Sequence, residues 1–361
     1  MEVSELFSTL HNNPEFSEHE TKTLEILKTY IKENTDLKIV DHNNFFYGIH
    51  DENADRTIAV RADIDAIANS EGKAFHGCGH DGHSSMACEA ARLLSGKKIG
   101  KNVIFLFQPA EENGAGAKSC FPMFDENNID LILGLHNIPS YKMGTVLLTK
   151  DSFADASTGI CIKFTGAQSH AGCPEEGLNP GFAISNLVCK LDEIINRDIY
   201  EKPVLSTLIC VNVGEKNYGI NAGYGELCLT LRAQKSSDLS ILVNTVLDEA
   251  KKSVEEVFKD KSSNVTISYE LLDEFPSTEN TKSEAERICK EIENSSLDYK
   301  YLDRPMRWSE DFGNYREKSK SFFFGLGAGE DHPGLHTEEY CFPKELLEIG
   351  AKTWVKIIEL A

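Results

Sequence analysis

One stretch of this chain reads Val103-Ile-Phe-Leu-Phe-Gln-Pro-Ala-Glu-Glu112, an apolar run that ends at two adjacent glutamates. Two other apolar runs end similarly, since Asp65 follows Ile58–Ile64 and His136 follows Leu131–Leu135. Continuous apolar runs of this length are typical of strands that are buried on both faces of an α/β sheet. In such sheets the functional site lies beyond the carboxyl ends of the strands, so we expect these polar side chains to converge on one edge.

The patterns around these runs predict further helices and strands of the same unit. Residues 3–34 have helical spacing with a break at Asn13-Pro14, and residues 84–95 form an Ala-rich helix that ends at Gly96. The other elements predicted for this unit are strands at 38–41, 45–50 and 321–326 and helices at 283–293 and 344–359.

A different order of elements occupies residues 157–273. The elements predicted there are strands at 159–165, 205–213, 226–232 and 265–271 and helices at 180–195 and 237–258. Their βαββαβ order is that of the ferredoxin-like unit. The sequence therefore predicts an α/β domain, residues 1–156 and 274–361, with an inserted α+β ferredoxin-like domain, residues 157–273.

The composition is that of an ordinary globular protein with a strongly acidic surface. The 361 residues carry a formal net charge of -21, which repels nucleic acid and anionic lipid. The 10 cysteines are spaced irregularly, which indicates reduced thiols rather than a disulfide framework. The first residues lack a signal-peptide pattern, and no apolar run approaches the about 20 residues of a membrane helix. These features predict a cytoplasmic protein that binds neither nucleic acid nor membranes.

The densest set of ligating residues is the segment His76-Gly-Cys-Gly-His-Asp-Gly-His83. Thiolate, imidazole and carboxylate groups are the usual protein ligands of zinc and of neighbouring transition metals. The intervening glycines allow a tight turn, so Cys78 and His80 can face the same point. The alternative is a glycine turn with incidental histidines, but the density of histidines favours a metal site.

The adjacent pair Glu111 and Glu112 suggests a division of roles. One carboxylate can bind a metal ion while its neighbour faces the substrate and accepts a proton from water. Taken alone, the pair is better explained as a solvated loop with two carboxylates. The cysteine–histidine segment and His136 favour the catalytic interpretation.

Together with several other segments, these motifs resemble the M20 metallopeptidase family, in its amidohydrolase branch of aminoacylases, hippurate hydrolases and auxin-conjugate hydrolases. The resemblance implies an α/β exopeptidase-like catalytic domain, which binds metal, and an inserted ferredoxin-like lid. The matching segments, which follow the order of the family along nearly the whole chain, are Leu10–Glu15, Arg61–Ala66, Cys78–His83, Phe107–Glu112, Gly134–Asn137, Gly166–Pro174, Ser309–Phe312 and Leu335-His336.

The resemblance implies a role for each matching residue of the catalytic domain. Cys78 matches a thiolate that bridges two metal ions, and Glu111 matches the general base. Asp65 matches a carboxylate that orients a ligating histidine. The remaining ligands that the resemblance implies are His80, Glu112, His136 and His336. His332 lies close to His336, but residues 335–342 fit the pattern of the family better, so we choose His336.

The other histidines and cysteines of the chain receive structural interpretations. His76 and His83 are predicted to support the fold or the ligands rather than to bind metal. The cysteines that lie mostly in apolar patterns are predicted to be small core residues, namely Cys88, Cys120, Cys161, Cys189, Cys210, Cys228, Cys289 and Cys341.

The resemblance also implies contributions from the lid. His170 matches a histidine that binds the scissile carbonyl oxygen, often from a partner subunit, so a homodimer through the lid is expected. Arg232 falls where some relatives place an arginine for the substrate carboxylate, although an arginine there is more often a surface residue. The segment Asn217–Asn221 lacks the usual Asn-x-Ile-Pro form, which leaves both of its asparagines as candidates for the lid asparagine. The segment of residues 69–75, which borders the pocket, is shorter than the corresponding segment of most relatives.

The reaction that the resemblance implies is metal-dependent hydrolysis of the amide bond of an N-acyl amino acid. Two divalent ions, zinc or manganese with nickel as an alternative, would bind the attacking water, and Glu111 would accept its proton. The alternatives are a dipeptidase or a biosynthetic N-acetyl-amino-acid deacetylase on the same fold, or a non-catalytic relative that binds metal or a metabolite. A pure binding protein needs no base, so Glu111 favours an enzyme.

Overall fold

The chain divides into two compact units in a computed structural model that describes residues 1–361. The first unit comprises Met1–Phe153, Thr278–Met306 and Glu310–Ala361, and the second comprises Ala154–Ser277 and Arg307–Ser309. The second unit begins three residues before the predicted insertion and ends four residues after it, and it also includes Arg307–Ser309. Its first strand begins at Ala156 and its last strand continues to Phe275.

The first part of the first unit contains five α-helices and eight strands. Its helices are α1 (Val3–His11), α2 (Thr21–Asn34), α3 (His80–Leu94), α4 (Gly116–Ser119) and α5 (Pro122–Glu126). Its strands are β1 (Lys38–Asp41), β2 (Phe46–His50), β3 (Thr57–Asp63), β4 (Ile67–Ala68), β5 (Ala74–Phe75), β6 (Asn102–Gln108), β7 (Leu131–Ile138) and β8 (Val146–Leu148).

The second unit is a four-stranded antiparallel sheet covered on one face by two helices. Its elements are β9 (Ala156–Thr165), β10 (Ser169–His170), α6 (Gly181–Ile195), β11 (Val204–Val213), β12 (Ile220–Asn221), β13 (Tyr224–Ala233), α7 (Ser236–Phe258) and β14 (Thr266–Phe275). The main sheet has the order β11-β13-β9-β14. The predicted ferredoxin-like arrangement is confirmed.

The chain then completes the large sheet of the first unit. The added elements are α8 (Lys282–Glu293), β15 (Tyr299–Tyr301), β16 (Lys320–Gly327) and α9 (Glu345–Leu360). The eight strands follow the order β1-β2-β6-β3-β7-β16-β8-β15, and the central strands β6, β3, β7 and β16 are parallel. Their side chains are almost all buried, as the continuous apolar runs predicted. The predicted α/β class is therefore confirmed.

Helix α3 begins four residues before the predicted start at Ser84. Gly79, with φ of 93°, supplies the left-handed backbone that leads into the helix, and Asp81 is favourably placed in the first turn beside the positive end of the helix dipole. The prediction missed this because apolar periodicity begins only after the histidines. The result is that His80 and His83 lie on the first turn of a helix rather than in a loop.

The prediction for the cysteines is only partly correct. Cys88, Cys120, Cys161 and Cys289 are buried. The prediction is wrong for Cys189 and Cys341, which are exposed, and for Cys210 and Cys228, which are partly exposed. All ten cysteines are free. Separately, none of the helices combines the length and apolar content that a membrane crossing requires.

Candidate metal and catalytic site

The site lies at the carboxyl ends of three parallel strands of the large sheet. The register of β3 and β6 places Asp63 beside Gln108, and β7 carries His136 near its own carboxyl end. The chain turns sharply after β6 at Ala110, whose φ is 53°. Its N–H donates to the carboxylate of Glu20 over 2.8 Å. This left-handed turn, which is unfavourable for alanine, directs the following glutamates.

The first group of candidate ligands is Cys78, His80 and His136, all of which are buried. Their ligating atoms lie within 4.8 Å of one another, and Cys78 Sγ is 3.3 Å from His136 Nε2. His136 Nδ1 lies 2.8 Å from the carbonyl oxygen of Asn137. Because a carbonyl only accepts hydrogen bonds, the proton is on Nδ1 and the lone pair of Nε2 faces the thiol.

A second group shares the same thiol and consists of Cys78, Glu112 and His336. His336 Nε2 is 3.7 Å from Glu112 Oε1, and the histidine side chain is 54% exposed. Its backbone has φ of 63°, and its N–H donates to the carbonyl oxygen of Gly77 over 2.8 Å. Because Cys78 belongs to both groups, its sulfur is placed where it can bridge two ions.

Two buried atoms of the cluster have no hydrogen-bond partner, namely His80 Nε2 and Glu112 Oε1. They are 3.7 Å apart. Buried polar atoms in proteins are nearly always paired, so an unpaired nitrogen and an unpaired carboxylate oxygen at one point fit a cation between them. The donor set of one thiol, three imidazoles and carboxylates is also one that transition metals prefer.

The pKa values of the clustered side chains also indicate a site for a cation. Burial, together with the carboxylates of Glu112 and Glu111, raises the pKa of the Cys78 thiol well above its ordinary value. Burial raises the pKa of Glu112 to about 7, against the opposing charge of His80. Burial lowers the pKa of His80, but Asp63 and Asp65 outweigh it and raise that pKa to about 10. A bound divalent cation would stabilise the thiolate and carboxylate forms and displace the proton from the imidazole.

Asp65 holds one of the candidate ligands in a fixed orientation. Its Oδ1 lies 3.1 Å from His80 Nδ1, and its Oδ2 accepts hydrogen bonds from the N–H of Glu112 over 3.0 Å and from the hydroxyl of Ser17 over 2.7 Å. With Nδ1 engaged in this way, Nε2 of His80 is the nitrogen that remains for an ion. The orienting role that the resemblance implied for Asp65 is compatible with this contact and stays a prediction.

Sequence reasoning did not single out Asp63, which lies within the same cluster. Its Oδ1 is 2.7 Å from His83 Nδ1, and its Oδ2 is 3.6 Å from His80 Nε2. His83 Nε2 in turn accepts the N–H of Asn137 over 3.1 Å, so His83 supports the site from behind. The sequence did contain a signal for Asp63. Side chains two positions apart along a strand point to the same face, and Arg61, Asp63 and Asp65 have that spacing.

Arg61 lies fully buried at the base of the site and was also not singled out. Its guanidinium donates to Asp63 over 2.6 Å, to Glu310 over 2.7 Å and to Asp311 over 2.9 Å. The N–H of Asp311 donates to Glu111 Oε1 over 3.3 Å. Burial and the carboxylates of Glu310, Glu112 and Asp311 raise the pKa of Glu111 well above its ordinary value, and Arg61 opposes them.

Replacing Arg61 with methionine is expected to lower the free energy of unfolding by about 3–5 kcal/mol, because it leaves three buried carboxylates without their shared cation. Urea unfolding of the metal-loaded protein measures the change. The matched control is Lys142→Met, which removes an ion pair with Asp298 at 2.7 Å between two exposed side chains and should change stability little. Equal stability of the Arg61 variant and the wild type would show that the network contributes no net stability.

The residues predicted in the lid lie in the second unit. His170 is exposed, and its Nδ1 accepts the N–H of Gly172 over 2.9 Å. Arg232 is partly buried, and it donates to the carbonyl oxygen of Arg307 over 2.8 Å and to the hydroxyl of Ser309 over 2.9 Å. The side chain of Asn221 is held by Ser169 and Asn179.

His76 is buried, and neither of its ring nitrogens has a hydrogen-bond partner. Burial lowers its pKa, so the ring is neutral. It belongs to neither group of candidate ligands around Cys78. The interpretation of His76 as a structural residue therefore stays a prediction.

Residues 59–360 match the family model of peptidase family M20/M25/M40. The match covers most of the chain and contains all five candidate ligands and Glu111. The chain belongs to this family. The resemblance seen in the sequence is thereby confirmed, and this M20 protein is a metal-dependent amidohydrolase.

Relatives of similar sequence align with nearly the full length of the M20 enzyme. The hippurate hydrolase of Campylobacter jejuni is 25% identical over 386 residues, which cover 99% of this chain and 95% of the relative. The N-acetyldiaminopimelate deacetylase of Oceanobacillus iheyensis is 27% identical over 381 residues, which cover 99% of both chains. A Bacillus subtilis structure described as a dinuclear metal-binding M20 peptidase has a TM-score of 0.83 at 19% identity, covering 99% of this chain and 97% of that one. The structural likeness shows a shared fold.

Proposed function

We propose that the enzyme hydrolyses the amide bond of an N-acyl amino acid, with Glu111 as general base beside a two-ion site. The observation that carries this proposal is the position of Glu111. Its Oε2 is 4.0 Å from the unpaired Nε2 of His80, and its Oε1 is held by the N–H of Asp311. Its neighbour Glu112 lies closer to both His80 and His336, so one glutamate can bind metal while the other moves protons.

The proposed ligands of the two divalent ions are Cys78, His80, Glu112, His136 and His336, with the Cys78 thiolate shared between the ions. Bound ions would lower the pKa of a water molecule toward neutrality and polarise the acyl carbonyl group. We propose zinc or manganese as the native metal, with nickel as the alternative, because imidazole and thiolate ligands suit transition metals.

Glu111 is proposed to act twice in one turnover. As a carboxylate it accepts a proton from the attacking water, and as a carboxylic acid it donates that proton to the nitrogen of the leaving amino acid. Its burial supports the second role, because a raised pKa makes the protonated form available near neutral pH. The backbone N–H of Asp311 keeps the carboxylate in one orientation through both transfers.

His170 is proposed to donate a hydrogen bond to the acyl oxygen as negative charge develops there. Nδ1 of His170 accepts a hydrogen bond from the N–H of Gly172, so in the neutral ring the proton is on Nε2. Nε2–H is therefore the group that is available to an oxygen atom of the substrate. The guanidinium of Arg232 already donates hydrogen bonds to residues of its own unit, so it would have to leave those partners to bind a substrate carboxylate.

A homodimer through the second unit is proposed as the setting in which His170 acts. Strand β11 is an edge of its sheet and exposes Leu208, Ile209 and Val211, at 47%, 60% and 44% exposure. An apolar edge strand of this kind is a surface that a second copy can cover.

Mixing two inactive variants tests whether His170 acts across that dimer. Glu111→Ala chains and His170→Ala chains, each inactive alone, are expected to regain part of the activity in mixed dimers, because one hybrid site then has both groups intact. The control mixes Glu111→Ala with Glu111→Gln, which cannot complement. No recovery in verified mixed dimers would show that His170 does not act in trans.

The substrate class is tested by a screen of N-acetyl and N-benzoyl amino acids against purified, metal-loaded enzyme. The names of the two curated relatives support this choice, since each describes a hydrolase of an N-acylated amino acid. Of the alternatives, the deacetylase is favoured over the dipeptidase by the relative of that name. Cleavage of dipeptides with no cleavage of N-acyl amino acids would favour a dipeptidase over the proposed hydrolase. Binding of these compounds without cleavage of any of them would favour a non-catalytic protein.

A further inference from the structure

Three cysteines lie side by side on neighbouring strands of the second unit. In the registers of the sheet, Cys210 of β11 lies opposite Cys228 of β13, and Cys228 lies opposite Cys161 of β9. Residues directly opposite each other in antiparallel strands point to the same face. The three thiols therefore form a row across three strands, with Cys228 at its centre. We call this set the thiol row.

The thiol row lies on the face of the sheet that the helices of this unit do not cover. The helix-packed core contains Leu227 and Leu229 from β13 and Ile160 and Ile162 from β9. Side chains alternate between faces along a strand, so the cysteines between these pairs point the other way. Within the row, Cys210 and Cys228 are partly exposed and Cys161 is buried. The row is thus reachable from solvent at its centre, Cys228, while Cys210 lies on β11, the strand proposed to contact a second copy.

The spacing of the row suits an ion held between two sulfurs. Opposite residues have Cβ atoms about 4.5–5.5 Å apart. A metal–sulfur bond is about 2.3 Å long, so two thiolates on opposite sides of an ion are up to about 4.6 Å apart. The two ends of the row are separated by two strand spacings, about 9.6 Å. One ion can therefore bind Cys228 with either neighbour, but not all three sulfurs.

The charges around the row favour a cation. Glu270 of β14 lies opposite Cys161 and pairs with Lys163 over 3.0 Å. Glu226 lies opposite the same lysine in the next row. Two carboxylates and one ammonium leave a net negative charge beside the thiols, which attracts a positive ion.

The number and type of the ligands narrow the choice of metal ion. A structural zinc ion requires four ligands, and an ion here has two sulfurs. Soft thiolate ligands select Cu(I) among biological metals.

We propose that Cys228, together with Cys161 or Cys210, binds one soft monovalent metal ion of the Cu(I) class. Two S–H bonds lose their protons to solvent and two metal–sulfur bonds form, without transfer of electrons. The site is separate from the proposed two-ion site, because it shares no residue with it.

An anaerobic titration of the divalent-metal-loaded enzyme with Cu(I) tests the proposal, with bathocuproine disulfonate as the competing chelator. Cys228→Ser is expected to hold one Cu(I) fewer per chain than the wild type, because it removes the sulfur common to both pairs. Cys161→Ser and Cys210→Ser should each retain that ion, since one pair survives in each. Cys189→Ser, which removes an exposed thiol of α6, is the matched control and should bind as the wild type does.

The double variant Cys161→Ser/Cys210→Ser supplies a second test if Cys228→Ser does not fold. It keeps the central cysteine but has no pair, so it should lose the same ion. Retention of the full Cu(I) content by either of these variants, with melting temperatures like that of the wild type, would overturn the proposal. Loss of the ion in Cys189→Ser alone would likewise place it elsewhere.

Discussion

Glu111→Gln is expected to lower the turnover number by at least about 10²–10⁴-fold, the usual contribution of a general acid–base, while the metals stay bound. The amide has nearly the shape of the carboxylate and can still accept the N–H of Asp311. It cannot accept a proton from water or return one to the leaving amine. Steady-state kinetics and metal analysis of the same protein samples measure both quantities.

The matched control is the neighbouring substitution Glu112→Gln. Glu112 Oε1 lies 3.7 Å from both His80 Nε2 and His336 Nε2, so this variant should lose metal together with activity. The two adjacent glutamates would then differ in phenotype despite identical chemistry. A Glu111→Gln enzyme with full metal content and near-wild-type turnover would exclude Glu111 as the general base.

Cys78→Ser is expected to reduce the metal content of freshly loaded enzyme below the two ions per chain that the wild type should approach. The sulfur belongs to both candidate ligand groups, so its loss weakens both ions. The fall in activity should exceed the about 10–100-fold effect that is typical of removing a residue that only supports a ligand. Elemental analysis after gel filtration, together with kinetics at saturating metal, measures the effect.

A cysteine outside the cluster provides the control for that experiment. Cys341→Ser removes an exposed thiol that belongs to no candidate ligand group, and it should leave metal content and turnover unchanged. Wild-type enzyme that never holds more than one ion would contradict the two-ion site. A Cys78→Ser enzyme that holds two ions as tightly as the wild type would show that no thiolate bridges them.

The sequence by itself determined the fold class, and it predicted most residues of the candidate site. The continuous apolar runs that form β3, β6 and β7 indicated a buried parallel sheet. A strand that is buried on both faces needs apolar residues at nearly every position, not only at alternate ones. The ligating residues follow those runs directly or lie in one short segment. Apolar runs and short ligand motifs involve residues that are close in sequence, so they can be recognised before the fold is known.

Only the tertiary structure decided how those residues are held. Arg61 donates to Glu310 and Asp311, which lie 249 and 250 positions away in the sequence, and Asp311 in turn orients Glu111. The thiol row likewise depends on the pairing of three strands that are distant along the chain. Such contacts are set by strand register and by packing between remote segments. No local periodicity specifies either one, so these partners become visible only when the segments are brought together.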